Sequence, residues 1–517
     1  MRALLALGLF SLALHANPFD LEELTVVELQ ARMASGQETA RSIVDKYLTR
    51  IDAIDRNGPA LGCVLELNPD ARAIADNLDA ERKAGKVRGP LHGIPILIKD
   101  NIATADKMQT TAGSLALVGA KAPADAFIVS QLRKAGAVIL GKANLSEWAN
   151  IRSSHASSGW SARGGQTKTP YALDRSPSGS SSGSAVCASA NLAALTIGTE
   201  TDGSIVSPAS MNGVVGIKPT VGLVSRMGII PISHVQDTAG PITRSVSDAA
   251  VLLSVMAGSD AQDSMTKDAN KHVVDYVKSL DVNSLKGARI GVARKGFTGN
   301  NPGTDKLFEA AIAELKRAGA TVVDPSNIDT LDQVEGEFEA LLYELKADLN
   351  IYLSWLGPSS PVHTLEDIIA FNKTHADAEM PFFDQELFEK AQTKGPLTST
   401  AYKQLRTKLQ RLAREEGIDK VMTKFRLDAI IAPTGAPAFL IDHIDGDSYK
   451  GGSSRIAAIA GYPHITVPAG FVDGLPVGLS FFGRAWSEAL LIKLAYAYEQ
   501  ATKHRKAPTF RPSAPAP

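Results

Sequence analysis

The sequence predicts an α/β fold, one large mixed β-sheet core flanked by α-helices. Three observations predict it. Ile94, Ile96 and Ile98 alternate as in a strand that ends at Lys99-Asp100-Asn101, and a helix-like stretch from Phe127 leads through Gly136 into the apolar run 137–140. Residues 289–293, 307–318 and 320–323 repeat that strand, helix, strand order. Residues 428–432, 465–467 and 477–482 supply later strands that one mixed sheet accommodates.

The elements follow in order. Arg2, an apolar run over 3–14 and small Ala16 before Asn17-Pro18 predict a secretory signal over residues 1–16 and a periplasmic or secreted mature protein. A buried first helix is the alternative, and the run is too short to span a bilayer. Thr25 followed by Glu28 forms a capping-box pattern, and Thr39 opens a helix whose Ile43, Tyr47, Leu48, Ile51 and Ile54 share one face. Residues from about 330 to 420 lack strand signals and carry Leu341, Leu342, Leu345 and Leu349 at helical spacing, which predicts a helical insert within a single domain over 17–517, placed to wall a cleft.

Composition narrows the ligand. With 44% apolar and 21% charged residues, the chain can bury a large core as a soluble globular protein. Its 54 basic and 55 acidic side chains nearly cancel, so no charge excess points to nucleic acid or to an anionic membrane surface, and a small or neutral ligand is expected. Oligomeric state has no sequence signal here. Cys63 and Cys187 stand far apart, outside any CxxC or Cys/His spacing, and read as packing residues. The ten His residues lack ligand spacing, so neither a metal nor another cofactor is expected.

Three segments carry chemistry. The tract Ser176-Pro177-Ser178-Gly179-Ser180-Ser181-Ser182-Gly183-Ser184 runs into a small-residue helix over 185–190 and a strand over 194–198, so it lines a site rather than linking domains. Gly179 to Gly183 also fits the G-x-S-x-G elbow, which would make Ser181 the nucleophile of an α/β-hydrolase-type esterase with His464 as a distant partner. Beyond it, Thr201-Asp202-Gly203-Ser204-Ile205 follows a strand with a Gly-containing turn that pushes Ser204 outward among unobstructed backbone N–H groups, which suits an oxyanion. Lys99 ends a strand that otherwise reads as buried; desolvation there favours the neutral amine, a base near neutral pH, although a solvated pair with Asp100 fits the segment equally well.

Gly93-Ile94-Pro95 through Lys99-Asp100, the Ser/Gly tract and Asp202-Gly203-Ser204-Ile205 together resemble, in order, the three hallmarks of the amidase signature family, and nearly the whole mature chain is covered once Gly461-Tyr462-Pro463 and Gly474-Leu475-Pro476 are added. The resemblance implies the amidase signature fold and an amidase whose base is Lys99, whose relay serine is Ser180, held by a cis peptide to Gly179 with Ser178 and Ser181 in the supporting loop, and whose nucleophile is Ser204. It further implies an oxyanion hole from the backbone of Thr201, Asp202 and Gly203. Ser178 and Ser182 replace glycines found in many members, and Val206 replaces an Arg of several. Those departures, with Leu342-Tyr343-Glu344 and Ile369-Ala370-Phe371-Asn372, are similar to bacterial peptide amidases and imply the C-terminal amides of peptides as substrates. An amidase for aryl, fatty or nylon-type amides, one component of an aminoacyl-tRNA amidotransferase, and a noncatalytic binding protein on the same fold are the alternatives. Ser264-Met265-Thr266-Lys267 matches S-x-x-K without its companion motifs, and His155 and Trp160 stand where they could line a pocket.

Overall fold

The computed structural model describes residues 19–515, so the leader assigned to 1–16 lies outside the described residues. Thirteen strands form among them: β1 Val64–Leu67, β2 Pro95–Lys99, β3 Val138–Ala143, β4 Trp160–Ser161, β5 Gly165–Gln166, β6 Leu195–Glu200, β7 Val215–Lys218, β8 Thr238–Thr243, β9 Arg289–Val292, β10 Thr321–Val323, β11 Ala429–Pro433, β12 His464–Val472 and β13 Leu475–Phe482. β4 and β5 make a small hairpin; the others build an 11-stranded sheet in the order β1-β3-β2-β6-β8-β7-β12-β13-β11-β9-β10. It is mixed, as expected. Pairing is parallel where helices carry the chain back, at β3-β2-β6 and β11-β9-β10, and antiparallel elsewhere, as along β6-β8-β7-β12-β13. The β12–β13 hairpin closes over Asp473 and Gly474, both at positive φ as a two-residue turn requires.

Each strand of β2, β3, β6, β8, β11 and β13 is buried along its length, because helices cover both faces of the sheet. The capping box at Thr25 and the Thr39-capped helix Ala40–Ile51 form as the sequence predicts. β1, β7 and β8 do not announce themselves. β8 reads Thr-Ala-Gly-Pro-Ile-Thr, a turn-like string, yet a side chain at Gly240 would meet the Ile217 carbonyl at 1.9 Å, so the close approach of β7 demands that glycine.

Between β10 and β11 the described residues hold helices and no strand: Glu337–Leu356, Leu365–Thr374, Glu386–Gln392, Thr400–Ala413 and Asp419–Phe425 are the main ones. Leu341, Leu342, Leu345 and Leu349 turn into a cluster with Trp148, Ile368 and Phe388, distinct from the core cluster against the sheet. Glu344 and Arg406 clamp Glu337–Leu356 to Thr400–Ala413 through a two-oxygen ion pair at 2.5 and 2.6 Å, buried on both sides. No helix among the described residues is long and apolar enough to cross a membrane.

Candidate active site

β2 and β6 run parallel with Ile98 opposite Ile197, so their C-terminal ends bring Lys99 beside Thr199. Lys99 is wholly buried, and its Nζ lies 2.8 Å from Ser180 Oγ, 2.9 Å from Thr199 Oγ1 and 3.3 Å from the Thr199 carbonyl oxygen. Asn101 Nδ2 donates to the same Thr199 hydroxyl at 2.9 Å. Burial pulls the Lys99 pKa down to about 7, against the opposing pull of the Asp237 and Glu200 carboxylates. Asp100 does not pair with Lys99: its carboxylate takes the Thr111 hydroxyl and the Gly113 N–H and faces Arg163 at 3.6 Å. A neutral amine has two N–H groups and one lone pair, and giving both N–H groups to Thr199 leaves the lone pair for the Ser180 proton.

The serine tract is ordered by its own hydroxyls. Ser178 adopts a positive φ, and its carbonyl accepts from Ser182 Oγ at 2.7 Å. The Gly179–Ser180 peptide is cis. A side chain at Gly179 would strike Ser146 Oγ at 2.1 Å, so any larger residue there would have to displace the serine hydroxyls that order the loop. The Ser180 carbonyl accepts the Ser146 N–H at 3.1 Å. Ser181 Oγ is tied to β6, donating to the Thr199 carbonyl at 2.9 Å and accepting the Thr199 N–H at 3.1 Å. That engagement corrects the elbow reading: the Ser181 hydroxyl is committed to β6, no strand among the described residues leads into Gly179, and buried His464 bonds Ser480 instead. The following helix, Ser182–Ser189, starts inside the tract, three residues before the apolar run suggests.

The Ser181 N–H donates to the Ser204 carbonyl at 3.1 Å, which docks the loop against the turn after β6. Glu200 pins that turn: one carboxylate oxygen accepts from the N–H groups of Ile205 and Val206 at 2.8 and 3.0 Å. Thr201 Oγ1 donates to Asp237 at 2.6 Å, and Asp237 accepts the Ile232 and Ser233 N–H groups in turn. Gly203 has φ +79°, the left-handed region, and a side chain there would crowd Ser207 and Ser454 at 3.0 Å. The N–H groups of Thr201, Asp202, Gly203 and Ser204 have no acceptor among the described residues, and the Ser204 hydroxyl makes no hydrogen bond there, to Ser180 or to any other group.

Ser204, Gly179, Thr201 and Asp202 open on a cavity of about 400 Å³ whose far wall is Glu337, Phe338 and Leu341 of the helix Glu337–Leu356. Arg455 stands at its rim, 3.4 Å from the Glu337 carboxylate. Burial and the nearby Asp202 charge push the Glu337 pKa up to about 8. Trp160 and His155 do not line this cavity; Trp160 packs edge-on against Phe382 and Phe383. Thr199, Asn101, Glu200 and Asp237 escape a reading for catalytic residue types, since each acts by holding another group. Glu200 had one usable signal, an acid at the end of an apolar strand.

The profile of the Amidase family matches residues 42–492. Native peptide amidase from Stenotrophomonas maltophilia is 51% identical, with 95% of this chain and 100% of that one covered at a TM-score of 0.91. An amidase family protein from Bacillus anthracis is 37% identical over 95% of this chain and 93% of that one, TM-score 0.87. A glutamyl-tRNA(Gln) amidotransferase component from Symbiobacterium thermophilum is 34% identical over 94% of this chain and 98% of its own length.

Proposed function

This chain belongs to the amidase family, and on that premise we propose that it is a serine amidohydrolase that cleaves the C-terminal amide of peptides through Lys99, Ser180 and Ser204. One observation carries the reading: a lysine amine with a pKa near 7, out of water, rests on a serine hydroxyl whose loop is docked on the turn of a second, unbonded serine.

The chemistry follows from the groups in place. Neutral Lys99 accepts the Ser180 proton while Ser180 accepts that of Ser204, and Ser204 Oγ attacks the amide carbonyl facing the cavity. The unpaired N–H groups of Thr201, Asp202 and Gly203, with that of Ser204 beside them, receive the negative oxygen; each such donor is typically worth about 3 kcal/mol. Collapse returns the proton to the leaving nitrogen, ammonia departs, and an ester remains on Ser204. Water then attacks by the same route and releases the acid. Thr201 supports the turn through Asp237, and Ser178, Gly179 and Ser181 hold the loop.

The peptide preference rests on the similarity to peptide amidase and on a cavity that combines Phe338, Leu341 and Ile232 with a polar rim. Ammonia release from peptide amides, compared with fatty, aryl and free amino-acid amides, tests it. A higher kcat/KM on fatty or aryl amides would overturn the substrate assignment while leaving the relay standing. Loss of fluorophosphonate labelling in Ser204→Ala, with labelling of one site per wild-type chain, tests the nucleophile.

A further inference from the structure

Cys63 precedes β1, and Cys187 lies in the helix Ser182–Ser189 that follows the serine tract, 124 positions away. The fold sets their sulfurs 2.8 Å apart, closer than unbonded sulfur atoms ordinarily pack, and both residues are wholly buried. The backbone around them is held in place. The Cys63 N–H donates to Asp55 at 2.7 Å, the Cys63 carbonyl accepts the Asn144 N–H at 2.8 Å, and the Asn144 carbonyl accepts the N–H of Gly183 at 2.9 Å. A side chain at Gly183 would meet the Cys63 carbonyl at 2.5 Å, so helix and segment approach each other more closely than any residue with a Cβ at this position allows.

We propose that Cys63 and Cys187 are a modification site: they join as an intramolecular disulfide when the chain folds in the presence of a disulfide oxidant, fastening the segment before β1 to the helix behind the catalytic serines. The reaction is thiol–disulfide exchange. One cysteine thiolate attacks an external disulfide such as oxidised glutathione and expels a thiolate. The second cysteine then displaces the other half, so the S–S bond forms as two protons and two electrons pass to two glutathione thiols. Burial raises the pKa of both thiols, so the finished fold keeps them protonated and unreactive, and exchange belongs to the stage before the helix docks.

The test refolds the denatured, reduced chain in a mixture of oxidised and reduced glutathione and counts thiols in denaturant. The expected result is no free thiol, an intact mass lower by two hydrogens, and a cross-linked peptide pair containing Cys63 and Cys187. Native reduced protein in the same mixture should keep both thiols over the same time. Cys63→Ser should lose the cross-link and retain Cys187 as thiol or glutathione adduct. If refolding yield is poor, the same count on protein produced in an oxidising compartment replaces it. Two free thiols in active protein from either route, or a link only between separate chains, overturns the proposal. The oxidised form should melt at a higher temperature than the reduced form with the same kcat.

Discussion

The Lys99 amine lies 2.8 Å from the Ser180 hydroxyl across 81 positions of sequence, and no carboxylate among the described residues pairs with it. A buried cation without a counter-ion is costly, so this contact is best served by the neutral amine. Lys99→Ala should lower kcat/KM by about 1,000-fold, within the range that a positioned base contributes, measured as ammonia released from a peptide amide. Lys99→Met, which fills the same space, should be equally inactive with a melting temperature at neutral pH no lower than that of the wild type; retained turnover in either variant removes the relay.

The pH profile has a definite sign. The active amine is the deprotonated one, so kcat/KM should climb about tenfold per pH unit below a midpoint near 7 and level off above it. Stability follows the same group. The unfolded chain holds the lysine proton up to its ordinary pKa of 10.5, so over the window from about 7 to 10.5 the native state gains stability from this residue as pH rises. A rate profile that stays flat across two pH units on either side of neutrality, roughly 5 to 9, would contradict the assignment.

Asp237 raises the Lys99 pKa by its charge, and its own pKa, lifted by burial to about 6, leaves it mostly anionic at neutral pH. Asp237→Asn removes the charge and keeps one of the two acceptor oxygens, which in the wild type serve the Thr201 hydroxyl on one side and the Ile232 and Ser233 N–H groups on the other. The acid limb of the rate profile should therefore move to lower pH. An acid limb that stays at the wild-type pH while kcat falls would mean that the carboxylate acts only by holding the turn.

Gly203→Ala places a side chain at φ +79° and 3.0 Å from two serine oxygens. The left-handed conformation alone costs about 1–2 kcal/mol. Relief by rotating the peptide would misdirect the turn's N–H groups, and the loss of one such donor lowers kcat about 100-fold. A kcat lowered about 100-fold with near-native circular dichroism is the expected pair of results.

Arg406→Met strands the Glu344 carboxylate between two helices, which should cost about 3–5 kcal/mol in denaturant unfolding. Adding Glu344→Leu should recover most of that loss. Failure of the double variant to recover would show that Tyr402 and Ser233, which also donate to Glu344, need the acid in its own right.

Lys99 and Ser204 were legible because their setting is abnormal for their type: a cation closing an apolar strand, and a serine after a glycine turn. Ser180 could be chosen among its neighbours only by family resemblance, since nothing local separates it from Ser181; the contacts made by Ser181 to Thr199 do. The large sheet could be read from β2, β3, β9, β11 and β13, whose apolar runs are long. β7 and β8 could not, because their glycines and prolines answer to neighbouring strands rather than to local propensity. Thr199, Asn101, Glu200 and Asp237 stayed hidden for a related reason: their work depends on partners brought near only by folding. The two cysteines read as separate packing residues on sequence spacing, and spacing carries no information about a contact that folding makes between the segment before β1 and the serine helix.

The wall of the cavity and its floor rest on different foundations. Leu341 belongs to a hydrophobic cluster apart from the one against the sheet, whereas Lys99, Ser180 and Ser204 are anchored at sheet ends. On the proposed reading, exchanges at Phe338 or Leu341 reshape which acyl groups are admitted without disturbing the three proposed hydrolytic groups, so descendants of one ancestral hydrolase can diverge in diet while inheriting the same reaction.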